Sequence, residues 1–494
     1  MKFYFPKILL VLILTTVLTA SEKPNVLFIV VDDLNDWIGS MGGHPQSKTP
    51  YMDALAQRGT LFTNAHCQAP ICGPSRASFL SGLYPHQTGF YNQPSSSNIL
   101  EEDTQFFNGH LIPQYFEKHG YQTMAVGKVT HGIRYEKIFQ LVGPHGNSGP
   151  KPKGPKKPND FRFHHRPDYS LPYSGTQTDW GVFPETNTEM PDYQSADWAI
   201  PVLQQEYDQP FFLAVGFRRP HVPFYVPQEW FDLHPLEQVQ VPEIPDYDLN
   251  DVPATGRHVH EVPRYPQLPW LRANDDEELK LCIQAYLACT SFVDAQIGRV
   301  LDALKKSPHS ENTIVVLFSD HGYHLGEKAR VSKHGLWEEA TRVPMVITTP
   351  GSKSGQVCSK PTGLIDLYPT LLELCGLPAR DENAGLSLAA LLNDPVGTPW
   401  RHSILTTYAK GNNTLRSDRF RYIQYEDESE ELYDHATDPY EWHNLASSAA
   451  HMDVIAEFRG HLPKQEVPYH PNVGSSPVNA WFAEHYKRHG VGRN

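Results

Sequence analysis

The chain has 494 residues, of which 39% are hydrophobic and 20% are charged, and its formal net charge at pH 7 is −14. This composition is typical of a folded globular protein, and the length is sufficient for more than one domain. The negative balance argues against a general polyanion binder, so we expect no nucleic-acid partner.

Residues 1–20 differ from the rest of the chain. Lys2 and Lys7 flank an apolar run that ends near Ala20. Such a segment is typical of a cleaved secretory signal peptide, and it is too short and wrongly flanked for a stable membrane span. We therefore expect a secreted or periplasmic protein without stable membrane insertion; the alternative is an uncleaved anchor.

Four apolar runs predict strands, and each is followed by polar residues. The runs are Asn25–Val31, Tyr121–Gly127, Phe211–Gly216 and Thr313–Ser319. The residues that follow them are Asp32 and Asp33; Lys128 and His131; Arg218, Arg219 and His221; and Asp320 and His321. Continuous apolar runs are typical of parallel strands that are buried on both faces.

Segments with helical spacing lie between these runs, at 52–58, 113–119 and about 275–305. Strands that alternate with helices predict an α/β fold with a large mixed, mostly parallel sheet flanked by helices. Ligands bind such sheets beyond the carboxyl ends of the strands. The polar residues therefore predict a single active site at that edge.

The character of the chain changes after about residue 378. Short strands are predicted at 402–408, 419–425 and 431–433, with a helix near 452–462. We expect a catalytic domain over 21–380 and a smaller C-terminal α+β subdomain with an antiparallel sheet over 381–494.

Two loop-rich regions border the predicted site. Residues 141–173 are rich in Pro, Gly, Lys and His, and form either a solvated linker or a basic rim for a polyanionic substrate. Variable loops often line substrate pockets, here over 86–110, 141–190 and 222–272. Candidate lining residues are Tyr91, His164, His165, Asp179 and Trp180.

Six cysteines are too few for a disulfide framework in an exported chain of this size, and none has the spacing of a zinc site. Cys72 stands out because it begins the sequence Cys-Gly-Pro-Ser-Arg76. Pro74 suits a first helical turn, and Ala77, Leu80 and Leu83 follow at helical spacing. A helix start and an arginine both attract anions. The stretch is therefore either a buried cysteine at the start of a core helix or a thiol, or a group made from it, aimed at an anion.

Asp32, Asp33 and Asp320 follow two different predicted strands. Three carboxylates near one point repel each other unless a cation neutralises them, and oxygen ligands suit calcium or magnesium. Adjacent aspartates alone are more typical of a helix cap, but the second strand end favours a metal. Five basic side chains would surround a doubly charged oxyanion on that metal: Arg76, Lys128, His131, His221 and Lys333. Taken singly, each lysine is more typical of a solvated surface charge and each histidine of a structural residue.

Six motifs in this order resemble the formylglycine-dependent (type I) sulfatases of the alkaline phosphatase superfamily. They are Asn25–Asp33, Cys72–Arg76, Gly127–His131, Arg219–Pro223, Ser319–Gly322 and Lys333. The C-terminal stretch 431–445 also resembles the end of these enzymes. His321 after Asp320 is similar to the iduronate-2-sulfatase group, whereas many arylsulfatases have asparagine there.

The resemblance implies that a formylglycine-generating enzyme converts Cys72 to formylglycine, whose hydrate attacks the sulfur of a sulfate ester. It implies one calcium ion held by Asp32, Asp33, Asp320, His321 and the modified Cys72. Arg76 and Lys128 would stabilise the hydrate. His221 and Lys333 would serve the leaving oxygen, and His131 would take the proton whose loss expels sulfate.

The resemblance predicts an exported sulfatase acting on a sulfated polysaccharide or oligosaccharide. One alternative is a phosphonate monoester or phosphate diester hydrolase of the same superfamily, which can share the formylglycine motif. The other is a non-catalytic protein that binds sulfated glycans.

Overall fold

The computed structural model describes residues 1, 23–94, 109–131, 134–146, 149–150, 178–261, 268–473 and 480. Almost all of the predicted signal peptide, the basic stretch 151–158, His164 and His165 lie outside these residues. Within the described ranges, no helix combines the length and apolar character needed to span a membrane.

The strands are β1 Asn25–Val31, β2 Thr60–His66, β3 Gln122–Gly127, β4 Leu141–Val142, β5 Trp180–Val182, β6 Phe211–Phe217, β7 Phe224–Val226, β8 Thr313–Ser319, β9 His324–Leu325, β10 Val331–Ser332, β11 Arg342–Thr348, β12 Gln356–Cys358, β13 Thr362–Gly363, β14 Ile404–Thr407, β15 Asn413–Arg416, β16 Phe420–Gln424 and β17 Glu430–Asp434. The helices are α1 Pro50–Arg58, α2 Cys72–Ser81, α3 Pro85–Thr88, α4 Ile112–Lys118, α5 Pro191–Leu203, α6 Gln228–Asp232, α7 Ala254–Glu261, α8 Leu268–Leu271, α9 Ala273–Lys305, α10 Glu338–Thr341, α11 Leu367–Leu374, α12 Ala389–Asn393 and α13 Met452–His461.

A nine-stranded sheet forms the centre of the molecule. Its order is β12-β2-β11-β8-β1-β6-β3-β4, and β13 also pairs with β2. β1 pairs in parallel with both β8 and β6, whereas β11 runs antiparallel to β8 and β2. The predicted mixed, mostly parallel sheet is confirmed, and the four strands predicted to carry the site are β1, β3, β6 and β8.

The sheet is buried on both faces, which explains the uninterrupted apolar runs. Along β1, Phe28 belongs to one hydrophobic cluster, whereas its neighbours Leu27 and Ile29 belong to the cluster on the other face. Successive strand residues point to opposite faces, so a strand covered on both sides must be apolar throughout. Helices α2, α4 and α11 contribute to the first cluster, and α1, α5 and α9 to the second.

The predicted helix at Cys72 is present, but it is shorter than the helical spacing of Ala77, Leu80 and Leu83 predicts. α2 ends at Ser81 because Gly82 adopts a left-handed conformation with φ of 76° and its N–H donates to Ser78 O. The prediction that Leu83 belongs to the helix was therefore wrong.

The C-terminal region forms a four-stranded antiparallel sheet in the order β14-β15-β16-β17. α13 packs on it, with Ile455 and Phe458 against Tyr422 and Leu432. The predicted antiparallel sheet and helix are confirmed, and β15 is an additional strand. All six cysteines are free thiols.

Candidate active site

The polar residues that follow β1, β3, β6 and β8 meet at the carboxyl edge of the sheet. The N–H of Asp32 donates to Phe217 O at 3.1 Å, and the N–H of Asp320 donates to Val31 O at 3.0 Å. These bonds continue the parallel ladders beyond the strands and hold the first polar residues in register. β2 ends at the same edge, and the short segment after it leads into Cys72.

Close backbone packing brings Lys128 to this edge. Its N–H donates to Gly216 O at 3.1 Å. Gly127 has a φ of 73°, and a Cβ at that position would lie 1.8 Å from Gly216 O. Both the conformation and the contact require glycine, so the Gly-Lys pair is fixed by geometry.

Cys72 lies at the first position of α2, and 1% of it is exposed. Its Sγ lies 3.1 Å from Lys333 Nζ, 3.3 Å from His321 Nε2 and 3.6 Å from Lys128 Nζ. The reading of Cys72 as a helix start aimed at an anion agrees with this ring of basic groups.

Four side chains form a compact cluster of potential metal ligands: Asp32, Asp33, Cys72 and His321. Their ligand atoms lie within 4.8 Å of one another, and all four side chains are buried. Asp33 has a φ of 62°, and its Oδ2 is buried with no hydrogen-bond partner in the part of the chain described. Two carboxylates in the donor set, one of them with a buried oxygen that lacks a partner among the described residues, fit a hard cation. The cluster can therefore hold a metal ion.

Asp320 lies beside this cluster. Its Oδ1 accepts the N–H of Asp33 at 3.2 Å, its Oδ2 accepts Arg76 Nε at 2.8 Å, and His321 Nε2 lies 3.7 Å from Oδ1. Ser75, within the cysteine motif, donates its hydroxyl to Asp320 O at 2.5 Å. Asp320 therefore joins the α2 helix to the metal-ligand cluster.

Arg76 and Lys128 neutralise the carboxylates from the other side. Arg76 is buried, with Nη2 3.1 Å from Asp32 Oδ1 and Nη1 2.5 Å from Lys128 O. Lys128 Nζ also pairs with Asp32. Burial alone would raise the pKa of Asp32, but the charges of Lys128 and Arg76 overcome this effect and hold the pKa well below its ordinary value.

The two remaining predicted histidines are neutral. Burial, followed by the charges of Lys128 and Arg76, lowers the pKa of His131 to about 3, and its Nδ1 is buried with no hydrogen-bond partner among the described residues. Burial and Lys333 hold the pKa of His221 well below its ordinary value. His221 Nδ1 lies 2.6 Å from Val222 O and donates to it, so Nε2, 4.0 Å from Asp32 Oδ2, carries the lone pair.

Three residues considered as pocket lining have packing contacts instead. Tyr91 is buried, and its hydroxyl donates to Val467 O at 2.9 Å. Asp179 accepts the hydroxyl of Tyr225 at 2.5 Å, and Trp180 belongs to a hydrophobic cluster.

Tyr286 supports the site but was not predicted. It lies on the buried face of α9, donates its hydroxyl to Asp33 O at 2.8 Å and accepts the N–H of Asn35 at 2.9 Å. It therefore fixes the backbone of the Asp-Asp turn. Its helical spacing is that of a core residue, so the sequence carries no signal for this role.

Comparisons with known proteins agree with the geometry. Residues 24–377 match the Sulfatase family, and residues 326–467 match the family "N-sulphoglucosamine sulphohydrolase, C-terminal". A Sulfatase of Formosa agariphila is 44% identical over 447 residues, which are 90% of this chain and 87% of that protein. Iduronate 2-sulfatase of Mus musculus is 32% identical and covers 73% of this chain and 70% of its own length.

The solved structure of a 2-O GAG sulfatase is 25% identical to this chain, with a TM-score of 0.68. The superposition covers 95% of this chain and 93% of the sulfatase chain. The family match contains all ten residues predicted for the site, from Asp32 to Lys333. This chain therefore belongs to the sulfatase family of the alkaline phosphatase superfamily and is a sulfuric ester hydrolase.

Proposed function

We propose that this chain is an exported sulfatase that hydrolyses sulfate esters of a sulfated polysaccharide or oligosaccharide, on a substrate similar to that of iduronate 2-sulfatase. The observation that carries the proposal is the setting of Cys72, whose Sγ lies 3.1 Å from Lys333 Nζ beside the buried carboxylates of Asp32 and Asp33. Preorganised cations around a reacting centre stabilise the negative charge that develops in sulfate transfer. The relatives named iduronate 2-sulfatase and 2-O GAG sulfatase support a sulfated glycan as the substrate class.

We assign the metal site to Asp32, Asp33, Asp320, His321 and position 72, with calcium as the ion. The three carboxylates of this set support a hard divalent ion, as does Asp33 Oδ2, which has no hydrogen-bond partner among the described residues. The ion would supply fixed positive charge for a sulfate oxygen, and a formylglycine made from Cys72 by a formylglycine-generating enzyme would supply the nucleophilic oxygen.

Arg76 and Lys128 hold the reacting groups in place. Arg76 bridges Asp32 and Asp320, which fixes carboxylates from two strands relative to each other. Lys128 contacts both Asp32 and Cys72 and keeps a positive charge next to any anion at position 72. Because both cations are buried, their charges are screened little by solvent.

Lys333 and His221 serve the leaving oxygen of the sugar. His221 is neutral and donates at Nδ1 to Val222 O, so its Nε2 can orient a hydroxyl group but brings no proton of its own. Lys333 therefore supplies the positive charge and the proton at Nζ. His131 is also neutral, and its Nδ1 would accept the proton whose removal releases sulfate.

We further propose that residues 1–20 are a cleaved signal peptide, that residues 21–380 form the catalytic domain, and that residues 381–494 form a C-terminal subdomain. Export would place the enzyme in the periplasm or outside the cell.

The test is the mass of the peptide across Cys72 in protein produced together with a formylglycine-generating enzyme, measured alongside sulfate release from sulfated disaccharides. We expect the aldehyde at position 72 and release from at least one disaccharide, and no release by Cys72→Ala. A phosphonate monoester and a phosphate diester serve as comparison substrates. Faster turnover of either one, or tight glycan binding without turnover by the aldehyde form, would overturn the proposal.

A further inference from the structure

Arg218 is a cation at the edge of the site whose side chain forms no ion pair with any of the described residues. It is the first residue after β6, on the same edge as Asp32 and Asp320, and it is partly buried. Its Nε is enclosed, and none of the described residues accepts a hydrogen bond from it. Arg76, Lys128 and Lys333 each pair with a carboxylate, whereas the described residues place no carboxylate within ion-pair distance of Arg218.

The backbone of Arg218 is held firmly. Asp192, a buried residue at the start of α5, accepts the N–H of Arg218 at 2.7 Å and the N–H of Arg219 at 2.8 Å. The carbonyl of Arg218 accepts the N–H of His221 at 2.8 Å. Arg218 therefore belongs to the same rigid turn as His221, and its charge is one of those that act on the His221 imidazole.

The neighbouring Arg219 shows what a structural arginine does in this turn. Arg219 is buried, its Nε donates to Tyr225 O at 2.9 Å, and its Nη1 donates to His221 O at 3.1 Å. Its guanidinium thus closes the turn from within. Arg218 has the same backbone support, but its enclosed Nε has no acceptor among the described residues, which is costly for a buried donor.

A guanidinium without an ion-pair partner among the described residues, in a chain with a net charge of −14, is suited to bind an anionic ligand. Its planar donors match the two oxygens of a carboxylate or of a sulfate group, and such bidentate pairs are stronger than neutral hydrogen bonds. The carboxylates of Asp32, Asp33 and Asp320 already pair with Arg76, Lys128 and Lys333. Arg218 is therefore available to a group that arrives with the substrate.

We propose that Arg218 forms a subsite for a second anionic group of the substrate, separate from the sulfate ester that is cleaved. That group is an oxyanion on the same sugar or the next one: a uronate carboxylate or a further sulfate. The inference rests on the proposed sulfatase function and makes a doubly anionic saccharide the preferred substrate.

The test compares Arg218→Gln and Arg218→Lys with Arg58→Gln, which removes an exposed arginine at the end of α1 on the opposite edge of the sheet. The substrates are a 2-O-sulfated uronate disaccharide, its carboxyl-reduced neutral form, a disaccharide with a second sulfate in place of the carboxylate, and 4-nitrophenyl sulfate. Arg218→Gln should lower kcat/KM about 100-fold on the substrate whose second anion it binds, mainly through KM, and about 3-fold or less on the singly anionic ones. Arg218→Lys should recover part of the loss, and Arg58→Gln should match the wild type.

The two disaccharide arms distinguish carboxylate from sulfate. An equal loss on all substrates, or no loss on any, would overturn the subsite. Calorimetric binding of the same disaccharides to Cys72→Ala, with and without Arg218→Gln, decides the subsite even if no substrate is turned over. Absence of turnover by the aldehyde form would count against the sulfatase function, whereas unchanged binding on removal of Arg218 would count against the subsite.

Discussion

Lys333 Nζ lies 3.1 Å from Cys72 Sγ and 2.8 Å from Asp33 Oδ1, so one ammonium group joins the helix start to the acidic cluster. Lys333 does not come from the large sheet. It follows β10, which pairs with β9 in a separate two-stranded hairpin. Lys128 reaches the same sulfur from β3 at 3.6 Å. The two lysines thus approach from different elements, and we expect their contributions to be separable.

Lys333→Met should lower kcat far more for a sugar sulfate than for 4-nitrophenyl sulfate. A sugar alkoxide is a poor leaving group and needs a proton, whereas nitrophenolate leaves without one. We expect a loss of roughly 100-fold or more on the disaccharide, in the range of general acid catalysis, and about 10-fold or less on the aryl ester. Steady-state kinetics on both substrates measure the difference.

Lys128→Met provides the matched control. Its amine contacts Asp32 and Cys72, so its loss should lower both rates by a similar factor. If Lys333→Met also lowers both rates equally, the assignment of Lys333 to the leaving oxygen is wrong.

The strands and the polar residues at their ends could be predicted because a strand buried on both faces is a continuous apolar run in the sequence. All seven residues of β1 are buried, and so are all seven of β8. β11 could not be predicted in this way because it contains Pro344, and a proline argues against a central strand. In the structure the pairing of β11 with β2 shifts register between Val343 and Met345, so the sheet accommodates this proline at an irregularity.

Long-range support of the site could not be predicted. The Tyr286 hydroxyl reaches Asp33 O across 253 residues, yet its position on α9 follows the same spacing as the core residues around it. Glu441 lies in the C-terminal stretch 431–445, but its partner Glu338 lies 103 residues earlier in the chain. Contacts of this kind depend on tertiary packing and have no local pattern.

Removal of the proposed calcium ion should lower both activity and thermal stability. The ligand cluster is buried, so the ion should bind the folded state only. At a concentration of 100 times its Kd it should raise the free energy of unfolding by about 2.7 kcal/mol, and with it Tm. A chelator should reverse this effect and calcium should restore it, as measured by a thermal melt and by sulfate release. Asp33→Asn should abolish the calcium-induced rise in Tm.

Asp294→Asn is the control for this experiment. Asp294 is a buried carboxylate that accepts the N–H groups of Tyr51 and Met52 at the start of α1. Its substitution should lower Tm without changing the rise on calcium addition. An unchanged rise in Asp33→Asn would remove Asp33 from the metal site.

Glu441→Ala should destabilise the protein strongly. Its carboxylate accepts Arg421 Nε at 2.5 Å and the N–H of Glu338 at 2.9 Å, and the Arg421 side chain is fully buried. The substitution leaves a buried guanidinium with part of its charge unmatched, which typically costs about 3–5 kcal/mol. Asp197→Ala removes a half-exposed carboxylate that pairs with Arg299 and should cost about 1 kcal/mol or less. Similar Tm losses in the two variants would show that the buried network is not a major source of stability.

Acid should weaken the fold through His324, which is fully buried. Burial, and secondarily the charge of Arg330, lowers the pKa of His324 to about 3. The unfolded chain, with an ordinary histidine pKa near 6.5, therefore takes up the proton first as the pH falls. The titration of His324 therefore leaves the free energy of unfolding unchanged above about pH 6.5. As the pH falls from 6.5 towards 3 it lowers the free energy of unfolding, by about 2 kcal/mol at pH 5. His324→Leu, of similar volume, removes this titration, so its Tm should fall less than that of the wild type between pH 7.5 and pH 5. Parallel melting curves across that range would show that His324 does not contribute to the acid sensitivity.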